Sequence, residues 1–151
     1  MRTNKHQAGV MLIEALIGIL IFSIGILALL GMQGTAIKNT TEARYRSEAS
    51  FFASQIAGQM WVDQDKLPSY DTANPMGFAA RDDWMDRVAQ MLPGINLDID
   101  PKENPPLIEV GPNPGLGLDT REVRVQVFWR QPGETETRRV VFLNRINTGK
   151  D

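Results

Sequence analysis

Between Val10 and Met32 the chain runs for 23 residues with one ionisable side chain, Glu14. A continuous helix of that length rises roughly 34 Å at about 1.5 Å per residue, enough for a hydrocarbon core of about 30 Å. No proline occurs between Val10 and Lys66, so nothing forces the helix to stop where the apolar run ends. From Thr35 the composition becomes mixed. Ala49, Phe52, Ala53, Ile56, Ala57 and Met60 then recur at spacings of three and four, the mark of one apolar face, while Arg44, Ser47, Glu48, Gln55 and Gln59 lie largely away from it. The pattern predicts one helix from about Val10 to Val62, its second half laid on a sheet with the Phe/Met stripe as core. Gly31 and Gly34 each weaken a helix by about 1 kcal/mol relative to Ala, which makes a soft point there and not a sharp kink.

Beyond Val62 the periodicity changes. Asp63 to Ala80, with Pro68, Asn74-Pro75 and Gly77, reads as a loop or wrap of little regular structure. Asp82 to Leu92 reads as a short amphipathic helix with Trp84, Val88 and Met91 or Leu92 on one face, Asp82 and Asp83 in its first turn, and Leu92-Pro93-Gly94 as its stop. Ile95, Leu97 and Ile99 alternate with polar residues as in a short strand, and Leu107 to Val110 is a candidate for another. Gly111 to Leu118 is a loop. Val123, Val125, Val127 and Trp129 give the clearest alternation in the chain. A turn at Gln131-Pro132-Gly133-Glu134 then leads into Thr137 to Ile146, the antiparallel partner. The fold class is therefore α+β: a long helix against about four antiparallel strands.

Composition narrows the chemistry. Of 151 residues about 119 follow the apolar run, room for one modest domain. The formal charge is −2, and a chain starting at Val10 would lose Arg2 and Lys5 and carry −4, which gives no electrostatic case for nucleic acid. Cysteine is absent, which rules out disulfides, cysteine nucleophiles and thiolate metal sites. The one histidine, His6, precedes the apolar run, so beyond it neither a Ser-His-Asp triad nor a His-rich metal site can form. No phosphate-binding loop or nucleophile elbow is present. The expectation is no enzyme and no cofactor. Asp98 and Asp100 on one strand face, with Glu103 nearby, read as a solvated face; calcium would need oxygen ligands from a full loop. Of the pair Arg138-Arg139, alternation turns one outward, with a cross-strand ion pair to Glu122 expected. Trp84 and Trp129 read as buried anchors.

The leader MRTNKHQAG places Arg2 and Lys5 before the apolar run, which keeps the start cytoplasmic; Lys38 and Arg44 weaken that bias without reversing it. A secretory signal peptide has a shorter apolar region and a small-residue cleavage site, neither of which is seen. A plain signal anchor fits the apolar run but does not account for a Glu five residues after a Gly that closes a basic leader.

Gly9-Val10-Met11-Leu12-Ile13-Glu14-Ala15-Leu16 resembles the processing site of type IV prepilins and pseudopilins. Ser23-Ile24-Gly25-Ile26-Leu27-Ala28-Leu29-Leu30-Gly31-Met32-Gln33 resembles the PilV branch, minor pilins often named type IV pilus modification proteins. The likeness is strong over about the first 50 residues and general beyond. It implies a pilin fold, with a membrane-spanning first half of the helix and a small antiparallel head. It also implies cleavage by prepilin peptidase between Gly9 and Val10 and N-methylation of Val10. Val10 stands where the family usually has Phe, Met11 where it has Thr or Ser, and Gly31 near where many major pilins have Pro. The implied division is a leader at 1–9, a transmembrane half at 10–34, a periplasmic amphipathic half at 35–62 and a globular head at 63–151.

A carboxylate in lipid takes up a proton or finds a cation. Cleavage would supply one: in a helical array, Glu14 of one subunit could meet the new amine at Val10 of another. The alternative is an interfacial Glu that reaches water. Gly18 and Gly25, seven apart, share a helix face where neighbouring stems could approach closely, although Gly is also simply common in membrane helices. The resemblance implies a precursor in the bacterial inner membrane with its head in the periplasm, then a place in the pilus, or fimbrium, toward its tip. Implied partners are other minor pilins and the major pilin, with a tip adhesin as a further candidate, and the implied role is priming of pilus assembly. The missing Cys pair sets the chain apart from most major pilins. The rivals are a minor pseudopilin of a type II secretion system, a membrane-anchored periplasmic enzyme, and an uncleaved anchor bearing a binding module.

Overall fold

The computed structural model describes residues 5–99, 101–112 and 120–149, with side chains from Gly9 onward. In chain order the elements are α1 (Lys5–Val62), a 3-10 turn (Gln64–Lys66), α2 (Leu67–Tyr70), α3 (Ala79–Met91) and the strands β1 (Leu107–Pro112), β2 (Thr120–Trp129) and β3 (Arg138–Asn147). The fold is α+β, a helix packed on a small antiparallel sheet. The chain forms two compact units, Met1–Thr41 and Glu42–Asp151.

Among the described residues the first unit consists of the part of α1 up to Thr41. The helix already includes Lys5, the first described residue, five residues before the apolar pattern predicts, because nothing from Lys5 to Ala8 opposes it and Gly9 costs only about 1 kcal/mol. It passes Gly31 and Gly34 without a break. Polar side chains along it bond inward: the hydroxyls of Ser23, Thr35 and Thr40 donate to the carbonyls of Ile19, Gly31 and Ala36, at 2.7, 3.3 and 2.9 Å. That is how a hydroxyl is satisfied on a helix with no external partner.

In the second unit the expected stripe of α1 is the core. Ala49, Ala53, Ile56, Ala57 and Met60 are at most 2 % exposed, and all but Ala57 share one cluster with Ile108, the inward row Val123, Val125, Val127 and Trp129, and Ile146. The sheet order is β1-β2-β3, both pairs antiparallel. Its registers include Ile108↔Val125 and Val125↔Phe142. Trp84 and Trp129 are buried as expected, and the Trp84 indole N–H donates to the Phe52 carbonyl at 3.0 Å, tying α3 to α1.

The sheet has three strands among the described residues, not about four. Ile95 to Ile99 forms a single bridge, Asn96↔Glu103, and no ladder. Asn96 Oδ1 accepts the Asp98 N–H at 3.0 Å, so the side chain turns the backbone out of an extended path. Ile95 and Leu97 still pack on the core, while Ile99 is exposed. Just before them, Gly94 holds φ +80°, and a Cβ there would meet the Arg130 Cβ at 2.6 Å. That approach is closed by the Arg130 N–H donating to the Pro93 carbonyl at 2.8 Å. The Gln131–Glu134 turn forms as expected, with Gly133 at φ +82° and the Glu134 N–H donating to the Gln131 carbonyl. Gly111 and Pro112 belong to β1 and not to a loop. The rest of that predicted loop lies outside the described residues, as do Arg2 and Asp100.

The wrap after Val62 is more ordered than its prolines suggest, since it carries the 3-10 turn and α2, with Pro68 in the first turn of α2 where its missing N–H is harmless. α3 begins at Ala79, three residues early, because Asp82 Oδ2 accepts the N–H of Phe78 at 2.9 Å and so closes the start of the helix. Leu92 and not Met91 joins the core. Arg81 is buried and organises the wrap, with Nε on Asp82 Oδ1 and its Nη atoms donating to the carbonyls of Asp71, Asn74 and Met76. The expected pairing of Arg138 or Arg139 with Glu122 does not occur. Register sets Glu122 opposite Arg145, with the charges 3.9 Å apart. Arg138, on the inner row, instead donates to Glu42 Oε2 at 2.6 Å, and Gln131 Nε2 donates to the same oxygen at 2.6 Å. Glu134 approaches Arg138 at 2.8 Å.

Tyr70 is fully buried, its ring edge-on to Phe78 and its hydroxyl donating to Asp63 Oδ2 at 2.7 Å. Burial, and after it the Asp63 hydrogen bond and charge, raise the phenol well above its ordinary range. The folded state thus holds this proton more tightly than the unfolded chain. The contribution is fully present below the unfolded value of about 10 and is lost as pH rises beyond it. Unfolding followed by tryptophan fluorescence should show stability falling above pH about 10, with a shallower fall in Tyr70→Phe; an identical fall in both proteins would refute the assignment.

Candidate functional site

The residues singled out in the stem all lie on α1 in the first unit. At 3.6 residues per turn, Glu14, Gly18 and Gly25 fall within an arc of about 40°, so the acid shares the glycine face. Val10 lies one turn before Glu14. All five residues, Gly9 included, are exposed. Glu14 has no hydrogen-bond or ion-pair partner among the described residues. A Cβ built on Gly18 or Gly25 meets nothing within 4 Å, so no contact among the described residues requires glycine at either position. The bond between Gly9 and Val10 is inside the helix.

Around this face every large apolar side chain from Val10 to Met32 is at least 42 % exposed. The helix is long and apolar enough to cross a membrane, and none of its apolar span is buried within the chain. What the arrangement can do follows from that: it can enter lipid or be covered by other helices, with Gly18 and Gly25 allowing close approach and Glu14 offering one charge to meet.

The second unit adds a surface that the periodicity reading passed over. Phe51, Gly58 and Val62 recur at i, i+7 and i+11 on the face of α1 turned away from the sheet. Phe51 and Val62 are 64 % and 84 % exposed, and a Cβ on Gly58 meets nothing within 4 Å. The signal was in the sequence: two large apolar residues and a glycine interrupt an otherwise polar face.

Among the described residues no group of three or more His, Cys, Asp or Glu is placed to hold a metal. Asp98 is exposed and Glu103 is engaged by Arg130 Nη2 at 2.6 Å. A concavity of about 490 Å³ is lined by Gln59, Ala80, Asp83, Asp86, Arg87 and Gln90, with no nucleophile beside a base. The chain matches no protein-family model, no curated protein and no solved structure.

If Gly58 answers to something outside the chain, Gly58→Ala should stabilise the isolated protein by up to about 1 kcal/mol through helix propensity alone. Urea unfolding, read by the fluorescence of Trp61, Trp84 and Trp129 in the second unit, measures this; a loss of stability would mean that Gly58 serves an internal contact.

Proposed function

We propose that this chain is a minor subunit of a type IV pilus, of the PilV kind, and not an enzyme. In this reading prepilin peptidase cuts between Gly9 and Val10 and the new amine at Val10 is methylated. The precursor lies in the bacterial inner membrane with its head in the periplasm. The released stem then packs with those of other minor pilins and the major pilin, in a complex that primes assembly at the tip and can carry an adhesin.

One observation supports this above the others. The stretch from Val10 to Met32 leaves all its large apolar side chains uncovered, and its one ionisable side chain, Glu14, follows Gly9 by five residues on the same narrow face as Gly18 and Gly25. A glycine-lined face suits close helix packing. A lone carboxylate in an apolar setting costs on the order of a few kcal/mol unless it is partnered. An amine created at Val10 on a neighbouring stem provides that partner. The cut would fall within a helical turn, so the peptidase must open the backbone locally. Gly9 is where that opening costs least.

Mass spectrometry of the protein from cells with active peptidase should show Val10 as its first residue, N-methylated; an intact leader would end the processing claim. Glu14→Ala should leave the second unit folded while lowering incorporation into pili at least about tenfold, the effect of losing a pairing of about 1.4 kcal/mol. Normal incorporation would remove Glu14 from the mechanism. Unchanged piliation with lost protein secretion on deletion of the chain would transfer the reading to a type II secretion pseudopilin.

A further inference from the structure

The two edges of the sheet are finished differently. The outer edge of β1 is closed by the wrap: the Thr72 N–H donates to the Ile108 carbonyl at 2.9 Å, Thr72 Oγ1 accepts the Ile108 N–H, and Asp71 Oδ2 accepts the Val110 N–H. No strand among the described residues pairs with the outer edge of β3. Among the described residues that edge is protected only by its arginine side chains, and by none of the other usual devices: no bulge, no proline and no covering segment. It is ten residues long, contains no proline or glycine, and its pairing to β2 runs from Thr120↔Asn147 to Trp129↔Arg138 without a bulge. The Asn144 side chain accepts the Arg145 N–H at 2.9 Å, which closes the edge locally at one point near its end.

The side chains of β3 define what could lie against it. On the inner row Val140 and Phe142 pack on the core but are only half-buried, so the margin of the core is uncovered there. On the outer row Val141 and Leu143 are exposed, between Arg139 and Arg145. Arg139 donates to the neutral Gln126 Oε1 at 3.4 Å, and the Arg145 contact to Glu122 is long, at 3.9 Å. β3 itself carries three arginines and no acid. Two cations about 20 Å apart therefore frame an apolar centre on an open backbone edge, at about 3.4 Å per residue.

We propose that the outer edge of β3 receives an extended segment of another protein as a fourth strand, with apolar side chains at its centre and carboxylates about six residues apart facing Arg139 and Arg145. The backbone ladder supplies the attachment and the side chains supply the selection. A second copy of this chain is the wrong occupant. Antiparallel pairing of two β3 strands centred on one another sets the arginines at opposite ends of the strands against each other, and like charges across strands repel. This inference concerns the second unit and does not depend on how the stem is processed.

The test uses the full-length chain in a nonionic detergent and two ten-residue peptides of Val and Thr, one with Glu at its second and eighth positions and one with Lys there. Hydrogen exchange should slow across 138–147 with the Glu peptide, at least about fivefold more than with the Lys peptide at low salt, the difference shrinking as salt rises. Arg139→Glu with Arg145→Glu should reverse the preference. Arg139→Glu alone, which keeps the Arg145–Glu122 contact and so guards against a folding defect, should reduce it. Equal protection by both peptides, protection elsewhere, no protection at all, or a dimer that protects β3 without peptide would each overturn the proposal.

Discussion

The first part of α1 has a surface that no described residue of this chain covers. A water-soluble monomer rarely exposes a contiguous apolar patch beyond a few hundred Å². Here the apolar side chains from Val10 to Met32 are uncovered all around the helix, and each is worth about 1.5–3 kcal/mol when fully buried. Whatever covers them, lipid or other helices, dominates the energetics of the stem. The hydroxyls of Ser23, Thr35 and Thr40 fit such a setting, since each is satisfied by its own helix. Of the described residues from Val10 to Met32, Glu14 is the ionisable one, and no described residue hydrogen-bonds or pairs with it.

The second unit meets the same problem with its own residues. The stripe from Ala49 to Met60 is covered by the inward row of β2, and Trp84 fastens α3 across Phe52. Arg81 gathers the carbonyls of the wrap, which brings Asp71 and Thr72 to the free edge of β1. A buried guanidinium is tolerated because its hydrogen bonds to Asp82 and to three carbonyls replace the water it loses. Among the described residues nothing equivalent covers the outer edge of β3, so the two edges of the sheet differ.

Strong periodicity made most of this legible in advance. The α1 stripe and the β2 alternation are repeated signals, and each buried residue they marked is buried. The errors fell where a single side chain outweighed the local pattern. Asn96 bends the backbone where Ile95, Leu97 and Ile99 suggested a strand, and Asp82 closes a helix start three residues early. Arg138 pairs with Glu42, 96 residues away, a contact no local pattern carries. The face of Glu14, Gly18 and Gly25 could be placed from spacing alone, because a helix fixes angles. No partner for Glu14 is found among the described residues, and spacing alone names none.

The contact of Glu42 with Arg138 and Gln131 makes one end of the second unit sensitive to ions. Glu42 is the first residue of that unit, and its pairing with Arg138 is partly exposed. Dissolved salt screens such a pair, whereas the apolar contacts of Ala49 and Ile56 are fully buried. Ionic strength therefore acts on the Glu42 end of the head and leaves its apolar centre alone.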